Sequence, residues 1–296
     1  MKALIFGANG QDGFYLTELL TARKILVAGV SRNPVAGDNG YEIFQGDVTD
    51  YEFVQSIVKH HQVDYIFHLA ANSTASHKAL FDNHLTIATG SLNILEAVKN
   101  FSPHSKVFLS GSGLQFKNEG KPIKESDPFE ARDAYSVSRI QSVYAARYYR
   151  TLGIKSYVGY FFNHDSPRRT ERHIAKRIAE AVKRIAKGSI EEIEIGDLSV
   201  EKEWAYAADI MNGAITLIEQ DEVFESVISS GKGYTIQDYI KNCFEFIGKD
   251  WKQYIIEKKD FTSQYKRLVG DTATIFSLGW KPEKNFDDLV KMMLES

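Results

Sequence analysis

The stretch "GANGQDG" (Gly7–Gly13) constrains the fold of this chain more than any other. Its three glycines stand at i, i+3 and i+6. They fall between the apolar run Ala3–Phe6, which reads as a strand, and Gly13–Arg23, which reads as a helix. Glycines in that place let the backbone approach a pyrophosphate, while the helix N-terminus offers orphan N–H groups and a positive dipole end. The same layout also serves as a plain strand-to-helix turn, so the surrounding pattern has to decide.

That pattern repeats. Strand-like Ile25–Val30, Glu42–Phe44, Tyr65–Leu69, Lys106–Leu109 and Ser156–Phe162 alternate with helix-like Asp50–His60, Gly90–Asn100 and Ala134–Tyr149. Short apolar runs separated by helices predict a parallel sheet covered on both faces. Right-handed crossovers wind it into a Rossmann-type, doubly wound α/β fold. Past residue 162 the character shifts to a basic helix over Glu171–Lys187, a short strand over Glu192–Ile195 and further mixed pieces. With no repeat, low-complexity tract or Pro/Gly-rich linker, a smaller interleaved C-terminal α/β subdomain is expected, not a tethered module. The expected division is a dinucleotide-binding domain over 1–162, completed by a segment near 197–222, and a substrate subdomain over 163–196 and 223–296.

Composition narrows the function classes. The net charge of -3 gives no global reason to expect nucleic acid or an anionic membrane as partner. No run approaches the about 20 apolar residues of a membrane helix, and "ALIF" is too short for a signal-peptide core, so a cytoplasmic location is expected. The single cysteine, Cys243, excludes an internal disulfide and fits a reducing compartment. The eight histidines form no metal-ligand spacing, so no metal is expected.

The residues after the second strand speak to the cofactor. A free ribose 2′-hydroxyl usually meets an Asp or Glu there. Here the chain reads "GVSRN", where Arg32 can pair with a 2′-phosphate or simply lie in solvent. NADP is therefore favoured, with NAD possible. Asp47, in "GDVTD", stands where it can meet the adenine, though Thr49 or Asp50 beside it can also cap a helix.

Two segments carry candidate chemistry. "LSGSG" brings Ser112 to the end of a strand, where its hydroxyl can bond a reacting oxygen. "AYSVSR" sets Arg139 four residues after Tyr135 on one helix face, and a cation one turn away favours a phenolate base. Read alone, the two also make an ordinary helix pair.

The whole order resembles the extended short-chain dehydrogenase/reductases, and among them the GDP-mannose 4,6-dehydratase family. "GANGQDGFYLTELL", "FFNHDSPRR", "GDLSVEKEWAYAADIMNGAITLIEQDE", "VISSGKGYTIQDYI" and the terminal "LGWKP…DDLVKMM" carry the likeness across nearly the full chain. The family's reaction, as the resemblance implies, oxidises the hexose at C4, eliminates water across C5 and C6, and returns the hydride to C6. The resemblance makes Tyr135 the base and Ser112 its hydroxyl partner. It widens the cofactor set to Gly7, Asn9, Gly10, Gln11, Asp12, Gly13, Val48, Leu69, Ala70 and Ala71, with Tyr135 and Arg139. It places Ser73, Asn163, Arg177, Lys202 and Arg267 at the nucleotide sugar, with GDP the favoured nucleotide.

Two departures limit the expected chemistry. Arg139 stands where the family has a lysine; it keeps a cation but cannot relay protons. Leu114 stands two residues after Ser112, where the family has the glutamate that works at C5 and C6. Glu119, Glu125 and Asp127 follow in the next loop, and nothing in the sequence aims them at C5. Hydride transfer at C4 of a GDP-hexose is thus expected more readily than dehydration. A true 4,6-dehydratase with a relocated acid/base and a cofactor-binding pseudoenzyme are the alternatives.

Residues 168–187 hold eight Lys/Arg against two Glu, most of them readable as solvated i,i+4 pairs. The family's usual Arg before "GD" of Gly270–Asp271 is replaced by "DFTSQYKRLVGD", which leaves Arg267 or Lys266 as substitutes and the base open. The resemblance also implies a homodimer through the helices of Gly90–Asn100 and Ala134–Tyr149. A shortened loop between Arg32 and Tyr41 argues against a tetramer.

Overall fold

The computed structural model describes residues 1–33, 40–258 and 260–296. The shortened loop between Arg32 and Tyr41 therefore lies almost wholly outside the described residues. The first half runs β1 (Lys2–Phe6), α1 (Gln11–Ala22), β2 (Leu26–Ser31), β3 (Glu42–Gln45), α2 (Tyr51–His61) and β4 (Tyr65–His68). A helical stretch follows: α3 (Leu80–Asn83), a π-helical segment (His84–Thr89) and α4 (Gly90–Phe101). Then come β5 (Lys106–Ser112), α5 (Ala134–Thr151) and β6 (Ser156–Phe161).

The second half contains β7 (His164–Asp165), α6 (Ile174–Ala186), β8 (Ile193–Ile195), β9 (Glu201–Glu203), β10 (Ala205–Tyr206) and α7 (Ala207–Ile218). It ends with β11 (Glu225–Ile228), β12 (Gly233–Thr235), α8 (Ile236–Phe246), β13 (Ile255–Glu257), β14 (Arg267–Leu268), α9 (Ala273–Ser277) and α10 (Phe286–Glu295).

Seven parallel strands form the main sheet in the order β11-β6-β5-β4-β1-β2-β3. The side-chain period of two explains why both faces are apolar. On β1, Leu4 and Phe6 join a core with Val54, Ile57, Leu95 and Val143 from α2, α4 and α5. Ala3 and Ile5 point the other way, against Leu16, Leu20, Ile210 and Met211 of α1 and α7. A third core gathers α6, α8 and α10, where the Trp204 indole stacks on Tyr239 at 4.1 Å between centroids.

Strand order reverses between β1 and β4, and the chain leaves the carboxyl ends of both at that point, as ligand-binding sheets of this type do. The Rossmann-type expectation holds. One boundary needs correction: β11 lies inside 223–296, yet it is the edge strand of the main sheet. Its Glu225 explains why. Arg147 of α5 grips that carboxylate through Nε and Nη2 at 2.9 and 2.7 Å, and Arg150 and the Tyr160 hydroxyl bond it as well. Those contacts fasten the strand to α5 and β6. Among the described residues, no helix is long and apolar enough to cross a membrane.

Candidate active site

The glycine turn is tight for physical reasons. Gly7 has φ +93°, and a Cβ there would lie 2.7 Å from the Ala70 amide nitrogen. A Cβ on Gly13 would lie 2.3 Å from the Gly7 carbonyl oxygen. Gly10 is different: the nearest atom to an added Cβ is Gly7 O, at an ordinary 3.4 Å. Packing alone does not demand glycine at this position, which caps α1 with no side-chain hydrogen bond and lines clefts on both sides. An uncapped helix N-terminus behind a bare backbone is what a bound phosphate needs. The cradle therefore fits a dinucleotide.

One cleft, of about 290 Å³, runs from that turn along β2. Asn9, Arg32, Val48, Leu69, Ala70 and Ala71 line it, and no carboxylate does among the described residues. Asp47 is turned away from it. Its carboxylate accepts from the Thr49 amide at 2.9 Å, while Asp50 caps α2 by accepting from Phe53 N.

The other cleft, of about 370 Å³, opens at the ends of β4, β5 and β6. It brings together Gln11, Asp12, Ser73, Ser112, Tyr135, Arg139 and Asn163. Ser112 ends β5 and caps the short turn Gly113–Gln115, its Oγ accepting from Leu114 N at 3.2 Å. Buried Gln115 locks the same residue by accepting from Ser112 N at 2.8 Å. Tyr135 sits in the first turn of α5, which Asp133 caps by accepting from the Tyr135 and Ser136 amides at 2.9 and 2.8 Å. Arg139, one turn on and buried, lies 5.0 Å over the Tyr135 ring. Its Nη1 donates to the Ser110 carbonyl and to Ser110 Oγ, the latter at 2.8 Å.

Sequence reasoning missed one pair in this cleft. His164 sets Nε2 3.0 Å from Asp12 Oδ1 and Nδ1 2.8 Å from the Phe162 carbonyl. Burial opposes charge on both groups, but their mutual attraction and hydrogen bond win. Asp12 is held well below the usual carboxylate range, with help from Arg169, and His164 is raised above the usual imidazole value. The partners lie 152 residues apart, so no local pattern announces them.

The absent acid stays absent. Leu114 lines the cleft beside Ser112, and Asp12, paired with His164, is the one carboxylate that does so among the described residues. Glu119 pairs with Lys117 at 2.6 Å, Glu125 accepts from Val227 N at 2.7 Å, and Asp127 accepts from Lys124 N at 2.9 Å. All three loop acids are thus engaged elsewhere.

A third depression, of about 810 Å³, adjoins the second at Tyr265. Arg177 and Lys202 line it, and neither has an ion-pair partner among the described residues. Buried Lys202 lies 4.3 Å over the Trp204 ring, and burial lowers its pKa against the pull of Asp165. Other cations of α6 are spoken for, with Lys176 and Lys183 on Glu180 and Arg184 on Glu191. The structure does not bring Arg267 to either cleft. It donates through Nε to Glu201 at 2.9 Å and through Nη1 to the Gly120 carbonyl at 3.1 Å. Lys266 is likewise paired, with Asp197 at 2.7 Å. Asn163 keeps a buried Oδ1 without a hydrogen-bond partner at the wall of the second cleft. Among the described residues no three His, Cys, Asp or Glu side chains group as a metal site would.

Known proteins match this arrangement. The Arabidopsis thaliana protein named GDP-mannose 4,6 dehydratase 2 is 29% identical over 319 residues, covering 99% of this chain and 86% of that one. The dTDP-glucose 4,6-dehydratase of Bacillus anthracis, solved with NAD, superposes with a TM-score of 0.87 at 18% identity, covering 100% and 96% of the two chains. RMD from Pseudomonas aeruginosa, complexed with NADPH, does so with a TM-score of 0.86 at 20% identity, covering 99% and 96%. At such identities the structures speak for the fold. The family profile described as GDP-mannose 4,6 dehydratase matches residues 4–293, and the chain belongs to that family.

Proposed function

We propose that this protein is an NADP-dependent nucleotide-sugar oxidoreductase that acts at C4 of a GDP-linked hexose. The observation that carries the reading is the composition of the second cleft. Tyr135, Ser112 and Arg139 converge there beside the dinucleotide cradle, and Leu114 lines the same cleft two residues after Ser112, where the resemblance leads one to expect a glutamate.

When bound, a nicotinamide dinucleotide supplies or accepts the hydride. The chain's own residues do the rest. Tyr135 exchanges a proton with the sugar's C4 oxygen, and the Ser112 hydroxyl bonds that oxygen. Arg139, fixed by Ser110, supplies a permanent positive charge against which negative charge on the oxygens develops. Asn163 Oδ1 is free to accept from a sugar hydroxyl. Lys202 and Arg177, unpaired, suit the pyrophosphate. Elimination needs a general acid or base worth about 10²–10⁴ in rate. The one carboxylate lining the cleft among the described residues, Asp12, is held by His164, which leaves the His173 imidazole, whose pKa burial lowers, as a further titratable group on that wall.

Incubation with GDP-hexoses and NADP or NADPH, followed by mass spectrometry, tests the reading. Gain or loss of two hydrogens supports it. Loss of the mass of water supports a dehydratase with a relocated acid or base, and no conversion leaves a cofactor-binding module.

Arg32, and the lack of a carboxylate in the first cleft among the described residues, support NADP over NAD. The Arg32→Ala variant is expected to bind NADP roughly tenfold more weakly with NAD affinity unchanged, which calorimetry reads. A homodimer is the assembly we infer. Leu92 of α4 and Tyr144 and Tyr148 of α5 are 47%, 58% and 59% exposed on neighbouring helices, a pattern that suits pairing with a second copy. The buried, unpaired Cys243 suits a cytoplasmic setting.

A further inference from the structure

We propose that the sugar accepted by this cleft is a 6-deoxyhexose, with Leu114 forming the seat for its C6 methyl group; the inference rests on the C4 reading above. Ser73, Asn163 and Arg169 make part of the cleft's wall polar, and the unpartnered Oδ1 of Asn163 belongs to it. Leu114, Leu268 and the ring of Tyr265, which also border one smaller cavity, make another part apolar, with the Phe162 ring against neighbouring Gly113. Once Tyr135 and Ser112 hold O4 and the unpaired cations Lys202 and Arg177 hold the diphosphate, the ring's long axis is set. Two edges remain, one carrying the C2 and C3 hydroxyls and one carrying C5 with its substituent. The hydroxyl-bearing edge matches the polar wall, which leaves C5 and C6 against Leu114.

Behind Leu114 lies a small cavity of about 130 Å³, which shares Leu114, Tyr265 and Leu268 with the cleft and adds Phe116 and Gly113. Gly113 is required there, because a Cβ would stand 2.8 Å from the Phe162 ring. Three polar groups at its rim are already committed. Asn118 donates to the Arg267 carbonyl at 2.6 Å, Asp133 caps α5, and Arg132 pairs with Glu130. Two others remain, Gln264, exposed at the mouth shared with the diphosphate depression, and the Tyr265 hydroxyl. Against the Leu114 side chain itself a methyl group fits, whereas a hydroxymethyl would set its oxygen beside carbon that offers it no hydrogen bond.

The test compares two ligands that differ only in the C6 oxygen, GDP-6-deoxy-D-mannose and GDP-D-mannose, by calorimetry on the protein saturated with NADP. The wild type is expected to prefer the deoxy sugar roughly ten- to a hundredfold, the range for a polar atom met by a site that cannot pair it. Leu114→Asn, close in volume but polar, is expected to erase the preference, while Leu114→Met keeps it and guards against a merely misfolded variant. Equal or tighter binding of GDP-D-mannose by the wild type overturns the methyl seat and leaves the C4 reading standing. An unchanged ratio in a folded Leu114→Asn protein overturns the role of Leu114. Binding of neither sugar, in protein that still binds NADP, overturns this inference and the C4 reading together.

Discussion

At Tyr135 two requirements meet, since the hydroxyl has to reach the sugar oxygen and the ring has to stay in place while a proton moves. Tyr135→Phe removes the first and keeps the second, so conversion is expected to fall at least about 10²-fold with NADP affinity unchanged. A variant converting at close to the wild-type rate would show that the proton travels elsewhere. Arg139 invites a paired test. Arg139→Lys keeps the cation and is expected to retain measurable conversion, whereas Arg139→Met removes the donor to the Ser110 carbonyl and hydroxyl, the hydroxyl still donating to the His68 carbonyl. Roughly 1–3 kcal/mol of stability is expected to go with that loss, visible in urea denaturation. The Asp12–His164 pair makes a signed prediction. Because His164 is raised above 6.5 in the folded state, its contribution is complete below that pH and is lost as pH rises through the raised value. Asp12 is depressed below 3.8, so its contribution is complete above that and lost as pH falls. The pair therefore stabilises most between about pH 4 and 6.5, and the stability gap between wild type and His164→Gln is expected to be widest there. A gap that does not change with pH would show that the two groups are not a charged pair. Of these residues, Tyr135, Arg139 and Ser112 were legible, because each stands at a fixed offset from a strand end or helix start. His164 was not, for its partner sits on another element 152 residues away in the sequence.

Among the elements, α5 does the most positioning. Asp133 and Ser136 bond reciprocally across its first turn, which sets the register of Tyr135 on the cleft. Asp133→Ala is expected to cost about 1 kcal/mol, with conversion falling further than stability because the tyrosine loses its anchor. The far end of α5 holds β11 through Glu225, whose carboxyl is brought down to about 2; burial works against this, and Arg147, Tyr160 and Arg150 outweigh it. That contribution is present above about pH 4.5 and lost as pH falls toward 2. The sequence announces most strands of the sheet, since each inner one is a short apolar run buried on both faces; β3, at the edge, is only half-buried. It does not announce β11, whose Glu225 is held by Arg147 and Arg150 of α5, 78 and 75 residues earlier in the chain. Nor does it announce α3 and the π-helical segment before Gly90, where "SHKALFDNHLT" shows too little apolar periodicity to read as helix. Arg267 fails for a similar reason: proximity in sequence to the cleft did not reveal that Glu201 would take its guanidinium.

At the scale of the whole molecule, the strand reversal between β1 and β4 makes one line of clefts, with a dinucleotide cradle at one end and two unpaired cations at the other. Light scattering is expected to give a dimer through α4 and α5, and Tyr148→Glu to shift it toward monomer; a wild-type monomer would contradict that pairing. On the function proposed above, the cleft between these ends serves hydride transfer at C4 and leaves C5 and C6 untouched. Turnover of a GDP-hexose in heavy water, sampled at early times, decides this. The expected product has gained or lost two hydrogens, keeps its oxygen count and carries no solvent deuterium on carbon. A product lacking the elements of water, with deuterium on carbon at C5, would contradict it.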